Sequence, residues 1–128
     1  MYTIGDFLIR LKNGYMARKT DVAFPWSRAV EKIAGILADE GYLKKIETKE
    51  IDGHKKIVAT LLYKNRRPAL RDVKIISKPS VHRYVTKFKV KKTIGNFGIS
   101  IVSTSKGIMT GKRAVEAGVG GELLCEIA

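Results

Sequence analysis

The run Gly98-Ile-Ser-Ile-Val-Ser-Thr-Ser-Lys-Gly-Ile-Met-Thr110 constrains the fold more than any other stretch of the chain. Ile99 and Ile101 alternate with Ser100 and Val102, which predicts a strand with at least one buried face. Ser103, Thr104, Ser105, Lys106 and Gly107 then interrupt it, and Ile108 and Met109 resume the apolar run. The pattern presents a short polar turn on strands, and strands hold a site more rigidly than free loops do. Hydroxyls both donate and accept hydrogen bonds, so such a turn can read base edges, ribose hydroxyls and phosphate oxygens. Gly107 can take a positive φ and let a partner come close. A turn whose hydroxyls bond their own backbone fits the same five residues, and from them alone it is the plainer reading.

Charge supplies the second constraint. The 128 residues carry 25 Lys and Arg against 12 Asp and Glu, a net charge of +13, which points to a polyanionic partner and most often to nucleic acid. Residues 64–92 hold eleven of the cations and one acid, Asp72, whereas residues 93–128 are neutral overall. That distribution suits a division of labour in which the basic ribbon grips phosphates and the neutral turn reads shape or bases. A merely solvated basic surface is the alternative.

The length suits one domain or two small lobes. A hydrophobic content of 45% excludes global disorder. No apolar run approaches the ~20 residues of a membrane helix, and the N-terminal stretch lacks the apolar core and cleavage site of a secretory signal. The single cysteine, Cys125, excludes an internal disulfide and a cysteine metal cluster, so a reducing cytoplasm is expected.

Along the chain, Ile4, Phe7, Leu8 and Leu11 give the spacing of a first helix that Thr3 can cap and Gly14 can end. Asp6, Arg10 and Asn13 fall on its opposite face, either as plain solvent-facing residues or with Arg10 held as a phosphate or ribose contact. Val22 to Phe24 is a short strand closed by Pro25. Ser27 caps a second helix to about Glu40, with Val30, Ile33, Ala34 and Leu37 as its buried stripe and Gly41 at its end. Arg28 and Lys32, one turn apart, can approach a phosphate together, though an exposed pair is the blander account. Two strands, Tyr42 to Thr48 and Lys56 to Tyr63, join through the hairpin signal Asp52-Gly53.

These spacings predict an α+β chain of two small lobes. The first, 1–63, reads α-β-α-β-β. A polar, proline-broken linker covers 64–72, and 73–128 forms a mostly β lobe with a short helix after Thr110. In the second lobe, Val73 to Ile76 is strand-like. His82, Tyr84, Thr86, Phe88 and Val90 share one face of a ribbon whose other face carries Arg83, Lys87 and Lys89. Tyr84 or His82 can stack on a base, and Phe88 reads as core. Leu123, Cys125 and Ile127 alternate with Leu124 and Glu126 as a last strand. Glu122 is positioned to accept hydrogen bonds from the Ser103–Ser105 turn or from a base, or is simply exposed.

Catalysis finds little support. Ser103-Thr-Ser-Lys106 matches the S-x-x-K of acyl-enzymes, but on a strand and turn its Ser and Lys do not face each other, and the partner motifs are missing. Gly107 to Arg113 is one residue short of a phosphate-binding loop and has Arg113 where a Ser or Thr belongs. His54 and His82 are isolated, with no metal-ligand spacing. No catalytic residue, metal site or cofactor is expected. A basic protein that organises DNA is the runner-up, distinguished by equal affinity for DNA and RNA duplexes.

The Gly98–Thr110 run, with Ala114, Gly120-Gly121-Glu122 and the terminal Cys125-Glu-Ile strand, resembles the bacterial small-subunit ribosomal protein S-eight family. Asp6…Arg10…Asn13, Pro25-x-Ser27 and Glu40-Gly41-Tyr42 are similar to that family's first lobe, so the resemblance covers essentially the whole chain. It implies a non-enzymatic, monomeric component of the cytoplasmic ribosome. Such a component binds a helix of the central domain of small-subunit ribosomal RNA, meets neighbouring small-subunit proteins and helps assembly. It implies that Ser103, Thr104, Ser105, Lys106 and Gly107 form the main RNA-recognition turn, that Tyr84 and Glu122 support it, and that Arg10, Asn13, Arg28 and Lys32 are first-lobe contacts. In some members the site also binds their own-operon messenger RNA. The chain departs from the family at Pro79-Ser80-Val81-His82, where the family has Pro-Gly followed by Arg two residues on, and it ends in Ala128 rather than an aromatic residue.

Overall fold

A computed structural model describes residues 3–77, 84–85 and 98–128. The expectations for His82, Arg83, Lys87, Phe88 and Lys89 lie outside the described residues. The chain divides into two compact units, one covering Thr3–Arg71 and the other taking Asp72–Ala128.

The first unit opens with helix α1, Thr3–Met16. Phe7, Leu8 and Leu11 are fully buried, as their spacing requires. Gly14 does not end the helix, which continues to Met16. Its role is contact: a Cβ there would lie 2.6 Å from Cγ2 of Val22 on strand β1, Asp21–Pro25. Phe7 meets Phe24 of β1 edge to face with ring centroids 5.4 Å apart. Helix α2, Arg28–Asp39, starts where the side chain of Ser27 accepts a hydrogen bond from the Val30 amide at 3.1 Å. Val30, Ile33, Ala34 and Leu37 are all fully buried. Burying each of the larger ones contributes roughly 1.5–3 kcal/mol.

Strands β2, Leu43–Ile51, and β3, His54–Leu61, pair antiparallel through Asp52-Gly53, both with positive φ (52° and 78°). This is the two-residue turn whose twist suits a hairpin. The hairpin closes tighter than the spacing predicts, since pairing runs to Ile51 opposite His54. The sheet order is β1-β3-β2. Residues 63–68 add a second, minute hairpin of β4, Tyr63–Lys64, and β5, Arg67–Pro68.

In the second unit the last strand, β10 (Gly121–Ile127), pairs with several others. On one side lies β8, Ile99–Thr104, which continues through a turn into β9, Gly107–Thr110. On the other, β6 (Val73–Ile75) and β7 (Tyr84–Val85) pair with successive parts of it. A short helix α3, Gly111–Ala117, begins where the Thr110 hydroxyl accepts from the Arg113 amide at 3.2 Å. Val102, Ala114 and Leu123 form the buried centre between helix and sheet, with Met109, Val115 and Val119 packed around it.

The simple alternation expected of the last strand fails at one point. The register slips between Leu123 and Cys125, so Leu124 is an extra residue in β10. Leu123, Leu124 and Cys125 are therefore all buried. Such a bulge bends its strand, and here the carbonyl of Leu124 accepts from the amides of Ile76 (3.0 Å) and Ser77 (3.3 Å).

Candidate nucleic-acid interface

The turn between β8 and β9 closes on the pair Thr104 and Gly107, with Ser105 and Lys106 at its tip. Ser105 and Lys106 keep negative φ, and the positive φ that turns the chain back falls on Gly107 at 110°. The Thr104 hydroxyl donates to the Gly107 carbonyl at 2.9 Å and accepts from the Lys106 amide at 3.0 Å. Thr104 is thus the self-bonded turn residue that the plainer reading of the sequence describes. Ser105, Lys106 and Gly107 are exposed, and Ser103 is half-buried. The hydroxyls of Ser103 and Ser105 make no hydrogen bond with the described residues, which leaves both as donors and acceptors toward solvent.

Register brings two further sequence candidates to the same place. Ser103 on β8 stands opposite Glu122 on β10, and Glu122 stands opposite Tyr84 on β7. Directly opposed residues of antiparallel strands share a face with neighbouring Cβ atoms about 4.5–5.5 Å apart. Tyr84, Glu122 and Ser103 therefore form one lateral row across three strands. The Tyr84 ring is 73% exposed, so it is available for stacking, and Glu122 is half-buried between its two neighbours.

Gly121, at the start of β10, fixes this row. A Cβ at residue 121 would lie 2.1 Å from the Ser103 carbonyl oxygen and 3.1 Å from Thr104 Cα. Only a glycine lets β10 run this close to β8, and the adjoining Gly120-Gly121 pair was the available signal.

In the first unit Arg10, Asn13, Arg28 and Lys32 are all exposed. The sequence sets Arg10 between Asp6 and Asn13, but its guanidinium is held elsewhere. It donates to the Ala23 carbonyl at 3.1 Å and lies 4.8 Å over the Phe24 ring. Arg28 and Lys32 stand on α2 just after a feature the sequence reading missed. Trp26 precedes the cap residue, and its indole N–H donates to the Glu31 carboxylate while the Lys55 ammonium sits 4.0 Å over its ring. Trp26 and Glu31 lie one before the cap and four after it, so a polar contact spans the helix start where a hydrophobic staple otherwise would.

Among the described residues no three His, Cys, Asp or Glu side chains gather as a metal site. No described helix is long and apolar enough to cross a membrane. Cys125 is fully buried on β10, and loss of hydration, then the nearby Glu126 charge, pushes its thiol up to about 12. Such a thiol is inert rather than nucleophilic.

Comparison with known proteins completes the description. The family of ribosomal protein S8 matches residues 2–128. The chain is 45% identical over 124 residues to small ribosomal subunit protein uS8 of Dictyoglomus turgidum, covering 97% of this chain and 95% of that one. It is 41% identical to small ribosomal subunit protein uS8c of Chlorokybus atmophyticus, over 98% of this chain and 96% of the relative. For uS8 of Xylella fastidiosa the identity is 40% over 126 residues, with the same coverage.

Proposed function

The chain belongs to the ribosomal protein S8 family and is a non-enzymatic structural component of the small ribosomal subunit, and on that footing we propose that it binds the subunit's RNA directly and helps the central domain of that RNA to assemble. One observation carries the reading: the row of Ser103, Glu122 and Tyr84 lies beside the exposed tip of Ser105 and Lys106. Uncharged hydroxyls read base edges and ribose 2′-hydroxyls, an exposed aromatic ring stacks on an unpaired base, and a carboxylate accepts from a base amino group. The exposed ammonium of Lys106 at the tip can meet a phosphate. A-form RNA hides its base edges in a deep groove, so a site of this kind suits a distorted helix rather than a regular duplex.

In this reading the mostly β lobe over 73–128 recognises, and the first lobe over 1–63 adds contacts through Arg10, Asn13, Arg28 and Lys32. The fixed guanidinium of Arg10 supports that role, because its ordering is complete before any phosphate arrives. The cationic stretch 64–92, which includes Arg83, Lys87 and Lys89, supplies grip without selectivity. Neighbouring small-subunit proteins are its other partners, and its own messenger RNA is a further ligand of the same turn.

The test is a titration of the protein with a central-domain ribosomal RNA helix, a scrambled RNA and a DNA duplex of equal length. We expect strong preference for the ribosomal helix. Ser105→Ala should lose about 1–3 kcal/mol of binding to that helix and little to the scrambled RNA. Equal affinity for the three nucleic acids, or an equal loss on both RNAs, would reject recognition by the turn.

A further inference from the structure

Residues 64–67 are the longest exposed cationic run of the first unit, and they are not a slack connection. Lys64 and Arg67 pair across the β4–β5 hairpin, and Asn65 and Arg66 form its two-residue turn. The hairpin is fastened to the end of α1 and the residues after it. The Tyr63 hydroxyl donates to the Lys19 carbonyl at 2.8 Å, and the Tyr63 ring meets Tyr15 edge to face at 5.4 Å. The Arg18 guanidinium donates to the Arg66 carbonyl and lies 5.6 Å over the Tyr63 ring. Ala69 N–H donates to the Leu62 carbonyl at 2.9 Å, and Leu70 is only 2% exposed.

Two features of this hairpin bear on its role. Asn65 and Arg66 both take positive φ, 51° and 66°. Glycine is the usual second residue of such a turn, so an arginine there keeps its charge at the cost of backbone strain. Second, the cations are uncompensated. On β2, Lys45 and Lys49 share Glu47, which lies 3.0 Å from Lys45 and 3.7 Å from Lys49. Lys64, Arg66 and Arg67 form no ion pair with a described residue.

We infer that the β4–β5 hairpin is a preformed phosphate clamp, in which Lys64, Arg66 and Arg67 grip the backbone of structured RNA at a site separate from the Ser103–Gly107 turn. The hairpin tip offers no free hydroxyl and no open ring, because the Tyr63 ring is covered by Tyr15 and Arg18. Its contribution is therefore independent of sequence and sensitive to salt. This inference rests on the reading that the chain binds RNA directly.

The experiment uses the full chain with Arg66→Gln and Arg67→Gln combined. The Arg18 bond goes to the backbone of Arg66, so the exchange leaves the hairpin's fastening in place. Affinity for the ribosomal helix and for scrambled RNA is measured from 50 to 300 mM KCl. Losing two phosphate contacts should reduce the slope of log affinity against log salt by about 1.5, with the ratio between the two RNAs unchanged. The pair Arg66→Lys and Arg67→Lys should restore the slope. An unchanged slope, with the wild-type chain still preferring its helix, overturns the clamp and spares the recognition reading. An equal drop from Lys44→Gln with Lys49→Gln, which removes the same charge from β2, also overturns it, because the effect would then be general electrostatics. Absence of any RNA binding by the wild-type chain overturns both.

Discussion

Gly121 shows how a single missing side chain can set the spacing of two strands. With 2.1 Å between a would-be Cβ and the Ser103 carbonyl, Gly121→Ala forces β10 away from β8 or out of register. We expect a loss of about 1–3 kcal/mol in urea unfolding, as for other overpacked sites. RNA affinity should fall with it even at temperatures where the variant is fully folded. Gly107→Ala acts through φ rather than space, since nothing lies within 4 Å of its would-be Cβ. Cys125 offers a prediction in pH. Its thiol ionises near its ordinary value of 9.0 in the unfolded chain and is pushed up to about 12 in the folded one, because burial opposes the thiolate. The stability that burying the neutral thiol supplies is whole below pH 9 and is lost as the pH climbs from 9 toward 12. Between pH 8 and 10.5 the stability of the wild-type chain relative to Cys125→Val should fall by roughly 2 kcal/mol. A thiol reagent at pH 8 should label Cys125 only after denaturation.

Whole elements were legible wherever a local rule governs them. The stripe of α2 and its Ser27 cap follow from spacing and from the need to satisfy the first free amides, and both are present. Ser27→Ala should lower stability by about 1 kcal/mol by thermal melting, with no effect on the Ser103–Gly107 turn. The Asp52-Gly53 hairpin was equally readable, because that pair names its turn type. Three features were not. Gly14 looks like a helix end from composition alone, and only the closeness of Val22 on β1 explains it inside the helix. The extra Leu124 in β10 cannot be seen in a run that alternates well on paper, since a bulge is decided by what the neighbouring strands offer. Lys64 to Pro68 has the composition of a connection, yet it forms a hairpin because tyrosines at residues 15 and 63, far apart in sequence, fasten it.

At the scale of the molecule, the net charge of +13 should make the proposed RNA binding depend on salt. If Lys64, Arg66, Arg67 and Lys106 each neutralise one phosphate, affinity for the ribosomal helix should fall about a hundredfold between 50 and 200 mM salt. A nearly flat dependence would show that the net charge of +13 is not spent on phosphates. The sequence by itself determined the α+β class, the concentration of positive charge and the polar turn on strands, because periodicity, charge and turn chemistry are properties of neighbouring residues. Only the tertiary structure decided that Tyr84 and Glu122 share a row with Ser103, and that Arg10 is fixed by Ala23 and Phe24. Those are outcomes of strand register and of packing between distant segments, which spacing along a chain does not encode.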